Sequence, residues 1–126
     1  MFDDRLEGNF KKVLDACYKV HKVLGPGLLE NAYEVCLAHE LHNMGLSVKT
    51  QVSLPLIYEG VKLDAGYKID ILVEESIIIE LKVVEELSPV HLAQILTYLK
   101  LSGIRLGLLA NFNVKLMKHG LKRVVL

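Results

Sequence analysis

The residues best suited to chemistry are Asp70, Glu80 and Lys82, in the stretch Lys68 to Val84, K-I-D-I-L-V-E-E-S-I-I-I-E-L-K-V-V. Two acids and an amine interrupt a run rich in β-branched residues, which favours extended backbone. Glu74-Glu75-Ser76 supplies a short polar turn between two arms. Side chains alternate across a strand, so Glu80 and Lys82 project from one face. If the turn closes a symmetric hairpin, Val73 pairs with Ile77 and Asp70 falls opposite Glu80. Directly opposed residues hold their Cβ atoms about 4.5–5.5 Å apart. Carboxylates that close repel unless a cation sits between them, and an oxygen-rich site suits Mg2+ or Mn2+. Such a set could hydrolyse a phosphodiester with a metal's help. A plainer reading is also open, with Asp70 and Lys82 as strand-end charges and Glu80 and Lys82 edging a solvated sheet face. Ile78 and Val84 share that face and are apolar, which argues for the site.

The elements that must carry these residues follow from apolar spacing and punctuation. Phe10, Val13, Leu14, Cys17, Val20 and Leu24 form a helical stripe, predicting a helix from about Asn9 to Leu24. Gly25-Pro26-Gly27 breaks it, and a second helix is predicted from Leu29 to Met44 with Gly45 as its C-terminal cap. Val48–Val52 and Leu54–Tyr58 read as short extended segments before a turn at Glu59-Gly60. Beyond the hairpin, Ser88-Pro89 opens a helix to Leu101 that Gly103 ends. Arg105 to Ala110 reads as a buried strand, Val114 to His119 as a short helix or turn, and Leu121 to Leu126 as an edge strand. The expected fold is mixed α/β, a central mixed sheet flanked by helices, in one domain spanning residues 1–126.

Composition narrows the class. The chain has 126 residues, about half of them hydrophobic, enough for a core and too apolar for disorder. Its 15 basic and 15 acidic residues cancel, so no global field draws it to nucleic acid. From Lys100 onward, however, Lys100, Arg105, Lys115, Lys118, Lys122 and Arg123 stand with no acid among them. These, and the lysines of the first helix, are candidate contacts to a phosphate backbone, although a solvated surface would look the same. Cys17 and Cys36 form no C-x-x-C pair and read as small core residues of a reduced, cytoplasmic protein. No signal peptide or membrane-length apolar run is read.

Outside the hairpin, Glu30 and Tyr33 lie three apart at the start of the second helix, where an acid is favoured by the helix dipole alone. His91, Gln94 and Tyr98 form a polar stripe on the third helix. His39-Glu40-Leu41-His42 has the wrong spacing for a zinc-protease motif and reads as surface. No phosphate-binding glycine loop and no serine in a nucleophile elbow is found.

Taken in order, these residues resemble a known family. Gly27-Leu28-Leu29-Glu30-Asn31-Ala32-Tyr33 is similar to the signature of the GxxExxY proteins, small domains assigned to the PD-(D/E)XK nuclease superfamily. The likeness continues through Asp70, Glu80-Leu81-Lys82, Gln94-Ile95-Leu96-Thr97-Tyr98 and Gly107 to Asn113. It implies a PD-(D/E)XK nuclease-like core with Asp70 and Glu80 as ligands of Mg2+ or Mn2+, and Lys82 orienting water or stabilising the transition state. Glu30 matches a first-helix glutamate that completes many such sites, and the Leu81 carbonyl is a further candidate ligand. Gln94 and Tyr98 resemble the Q-x-x-x-Y element of the RecB-like branch, which lines the site. Ile69 stands where the superfamily name has proline. The implied function is metal-dependent nucleic-acid cleavage, DNA ahead of RNA. The alternative is a non-catalytic nucleic-acid- or protein-binding module on the same fold. A homo-oligomer or a partner subunit is compatible with the apolar composition.

Overall fold

The first helix, α1 (Asp4–Leu24), is held at its start by Asp3, whose side chain accepts the Leu6 N–H at 2.8 Å. That cap explains why it begins before Asn9, where the apolar stripe alone would start it. A computed structural model describes residues 2–126 of the chain. Gly25, at φ +68°, ends α1, and α2 (Glu30–Asn43) follows. Then come β1 (Val48–Ser53), β2 (Leu56–Tyr58), β3 (Val61–Leu63), β4 (Lys68–Val73) and β5 (Ile77–Lys82). Next are α3 (Pro89–Ser102), β6 (Leu106–Asn111), a single 3-10 turn (Met117–His119) and β7 (Leu121–Val125).

Five strands form one sheet in the order β1-β4-β5-β6-β7. All neighbours are antiparallel except β5 and β6, which run parallel with α3 as their crossover. The mixed sheet flanked by helices is the architecture expected from the sequence. β4 and β5 pair with Val73 opposite Ile77 and Ile71 opposite Ile79, the register of the symmetric hairpin. Glu74 and Glu75 make this possible by taking positive φ, +53° and +52°, in the turn.

Residues 54–67 depart from the expectation. They leave the sheet as a separate two-stranded ribbon, with β3 as a return arm that sequence reading did not find. Its three residues are too few to show a period. Glu59 and Gly60 at the tip both have positive φ, +48° and +78°, as a tight hairpin turn requires. The ribbon is closed at its base by the Leu54 N–H, which donates to the Tyr67 carbonyl at 2.9 Å.

Helices cover both sheet faces. α1 and α2 bring Phe10, Val13, Tyr33 and Leu37 onto Ile71, Ile79 and Leu108. α3 brings Ile95 and Leu99 onto Leu72, Ile78 and Leu109. β5 is therefore covered on both sides, and Ile77 through Leu81 are all buried. This is why its sequence is a nearly continuous apolar run and does not alternate. Cys17 is buried, its thiol pushed up to about 12 by desolvation, and Cys36 is half-buried. Among the described residues no helix is long and apolar enough to cross a membrane.

Two elements of the basic C-terminal quarter are committed to the fold. Arg123 makes two bonds to Glu7, at 2.8 and 2.9 Å, and lies over the Phe10 ring. Arg105 bonds the Leu126 carbonyl beside the start of β6, the sheet end opposite Lys82. In α1, Lys11 pairs with Asp15 and Lys19 with Glu40. Both arginines remain exposed while making these contacts.

Gly120 joins the 3-10 turn to β7, and a Cβ placed there would overlap the Asn111 carbonyl oxygen. Gly120→Ala is expected to destabilise the protein by about 1–3 kcal/mol, as overpacking does. The check is a lowered urea midpoint at unchanged slope.

Candidate active site

The hairpin register places Asp70 across from Glu80, where the backbone ladder gives way to side chains. Glu80 accepts the Asp70 N–H through Oε1 at 3.2 Å, and Asp70 accepts the Leu81 N–H through Oδ2 at 2.9 Å. Each acid thus takes a backbone donor from the facing strand, which satisfies peptide groups that β pairing has released. Glu80 is 3 % exposed, whereas Asp70 is half-buried.

Burial in the central strand pushes the Glu80 carboxyl up to about 8. The Asp70 charge adds to this, while the bond from the Asp70 N–H and the nearby Lys82 oppose it. Among the described residues no ion pair reaches Glu80.

Lys82 leaves the same face one pleat on and donates to Gln94 Oε1 at 2.7 Å. The Gln94 amide in turn donates to the Tyr98 hydroxyl at 3.3 Å. Gln94 and Tyr98 are four apart on α3, so the helix presents both together. The Tyr98 hydroxyl is raised, first by burial and then by Glu80's charge. His91, the third residue of that predicted stripe, is used elsewhere: its Nδ1 accepts the Ser88 N–H at 3.0 Å, closing the helix start. Asn111 pins the chain just after Lys82, accepting the Val84 N–H at 3.1 Å and donating to its carbonyl at 2.9 Å.

Glu30 lies exposed at the first position of α2. Its carboxyl is raised by desolvation and then by the charge of Asp70, with Lys82 opposing, so it stands in reach of the same field. Tyr33 points the other way. Fully buried, it stacks on Phe112 at 4.7 Å, donates to the Gly25 carbonyl at 2.6 Å and accepts the Leu28 N–H at 3.2 Å. Its contribution is to clamp the glycine turn that aims the start of α2, and with it Glu30.

The structure therefore brings Asp70, Glu80, Leu81, Lys82, Gln94 and Tyr98 together at one end of the sheet, with Glu30 linked to them by charge and not by contact. It also adds two residues that sequence reasoning missed. Glu34, one turn after Glu30 and 9 % exposed, accepts from the Gln51 amide at 2.6 Å, and the same amide lies 3.3 Å from Asp70 Oδ1. Glu34 could have been found by its spacing from Glu30. Gln51 could not, because its place follows from the distant pairing of β1 with β4.

Among the described residues no three His, Cys, Asp or Glu side chains lie together closely enough to hold a metal ion as they stand. The donor chemistry nevertheless suits a hard divalent cation: two adjacent carboxylates, one of them buried and in no ion pair, and a third acid whose carboxyl senses Asp70. The chain belongs to the PD-(D/E)XK nuclease superfamily, whose family model matches residues 7–124. No curated protein and no solved structure matches it.

The raised Glu80 carboxyl sets the sign of a pH effect. The folded state keeps a proton that the unfolded chain gives up near 4.5, so Glu80 favours folding below about pH 4.5. That contribution is lost as pH rises through about 8. In EDTA, Glu80→Gln should therefore raise the melting temperature at pH 8.5 and change it little at pH 4.5, as read by circular dichroism.

Proposed function

We propose that the protein is a metal-dependent nuclease hydrolysing phosphodiester bonds, with DNA ahead of RNA as substrate. The observation that carries this is Asp70 opposite Glu80, with Lys82 beside them, in a member of a nuclease superfamily. Asp70, Glu80 and Glu30, with the Leu81 carbonyl, would hold Mg2+ or Mn2+. When bound, such an ion acidifies water and neutralises charge on the phosphate.

The chain's own residues do the rest. Lys82, its amine held by Gln94, is directed at the reacting phosphate, where it orients the attacking water and balances charge developing on oxygen. Gln94 and Tyr98 restrict the lysine to that position. The apolar packing of Ile78 and Leu109 beneath leaves Glu80 poorly solvated, which strengthens the electrostatic contacts it makes. The Gly27, Glu30 and Tyr33 spacing supports placing the chain with the GxxExxY proteins, and Gln94 and Tyr98 support the RecB-like branch. A single domain acting in the cytoplasm, alone, as a homo-oligomer or with a partner subunit, accords with this reading.

A second reading, a non-catalytic binding module, is favoured by one observation. Asp70 and Glu80 each accept a backbone N–H from the facing strand, partners that do not depend on an ion. Cleavage of labelled single-stranded, duplex and branched DNA and RNA in Mn2+ or Mg2+ separates the two. Asp70→Ala and Lys82→Ala should each lower the rate by at least about 100-fold with the circular dichroism spectrum unchanged. Cleavage that survives both substitutions excludes the assignment.

A linked expectation concerns protons. Because Glu80 must lose one to bind an ion, Mn2+ affinity should rise with pH up to about 8 and binding should release protons. Calorimetry in buffers of different ionisation enthalpy measures both.

A further inference from the structure

Gln51 has an unusual backbone for its position. It lies in the middle of β1 at φ +52°, a left-handed conformation rare for any residue with a side chain. The ladder on either side keeps one register, Thr50 opposite Ile71 and Val52 opposite Ile69. No residue has been inserted, so this is a local kink in an otherwise continuous strand, and it falls across from Asp70. Left-handed backbone at a residue other than glycine is strained and persists only where its surroundings fix it. Glycine would adopt it freely.

The side chain supplies the reason. Its amide nitrogen has two protons, and two carboxylates lie around it: Glu34 Oε1 at 2.6 Å and Asp70 Oδ1 at 3.3 Å. Carboxylates are acceptors only and repel each other, so a neutral group with two donors joins them without adding charge. Asp70 is then held at both oxygens, Oδ1 by Gln51 and Oδ2 by the Leu81 N–H. Its carboxylate can turn away only by breaking one of these bonds.

We propose that Gln51, itself held by Glu34, is the positioning residue for Asp70, and that β1 accepts a strained backbone at residue 51 to place that amide. This rests on the reading of Asp70 as a metal ligand. Gln51 touches neither substrate nor ion in this scheme. Its effect passes through the orientation of Asp70, as partners behind a ligand commonly act.

The test compares the wild-type protein with Gln51→Gly, Gln51→Met and Asp70→Ala, titrating each calorimetrically with Mn2+ alone and measuring its melting temperature in EDTA. Gln51→Gly removes the amide and the strain together, and Gln51→Met removes the amide at nearly constant size. Both should weaken Mn2+ binding by about 10- to 100-fold, the range for losing a group behind a ligand. Gln51→Gly should melt no lower than wild type, a result that a merely structural glutamine would not give. Unchanged Mn2+ affinity in both Gln51 variants would overturn the positioning role while leaving the Asp70 site standing. So would weaker binding that comes only with a matching loss of melting temperature in both. If the wild-type protein binds no Mn2+, or binds it equally well after Asp70→Ala, the metal-site reading fails and this inference with it.

Discussion

The structure turns on a conflict between two like charges. Asp70 and Glu80 face each other across adjacent strands, and Glu80 sits in a strand covered on both sides by helices. Among the described residues no basic side chain forms an ion pair with either acid, and Lys82 donates instead to Gln94. The fold offers partial compensation in the form of peptide N–H groups, and a retained proton on Glu80 supplies more. A cation would replace both. Burial and like charge therefore act together at one pair of residues.

Connectivity explains how the remaining groups reach that pair. The parallel pairing of β5 with β6 needs a crossover, and α3 serves as that connection. The helix that covers the apolar part of the face with Ile95 and Leu99 thereby carries Gln94 and Tyr98 to Lys82. On the other side, Tyr33 fixes the glycine turn before α2, so the helix that supplies core residues also presents Glu30 and Glu34. Each candidate side chain rides on an element that the core already holds in place.

Much of this was legible in the residues themselves. The Val73–Ile77 pairing followed from a three-residue turn and a count, because a hairpin fixes its own register. Pro89 and Gly103 marked α3, and Gly25 marked the end of α1, since each has a local conformational reason to stand there. Asp3 as a cap was equally local but was outweighed by an apolar stripe that begins later. Gln51 was out of reach: a glutamine in a polar segment carries no sign that its strand will pair with β4. Nor did the run of positive charge after Lys100 reveal that Arg123 would be taken by Glu7, more than a hundred residues away in sequence. Local chemistry can be read along the chain, whereas assignments made by tertiary pairing cannot.

The ribbon of β2 and β3 is joined to the sheet through its two ends, where Leu54 and Tyr67 meet, and its own Ile57, Tyr58, Val61 and Leu63 are largely exposed. Tyr67 at its foot packs edge-on against Tyr98, so the appendage begins beside the groups that hold Lys82. Lengthening or replacing such an excursion costs only the slow rise in loop-closure entropy, because its ends stay fixed while its middle is free to change. The scaffold thus has a built-in place for change beside the candidate site. Changes of length or sequence at the tip of the ribbon leave the pairing of the five-stranded sheet in place, since β2 and β3 pair only with each other.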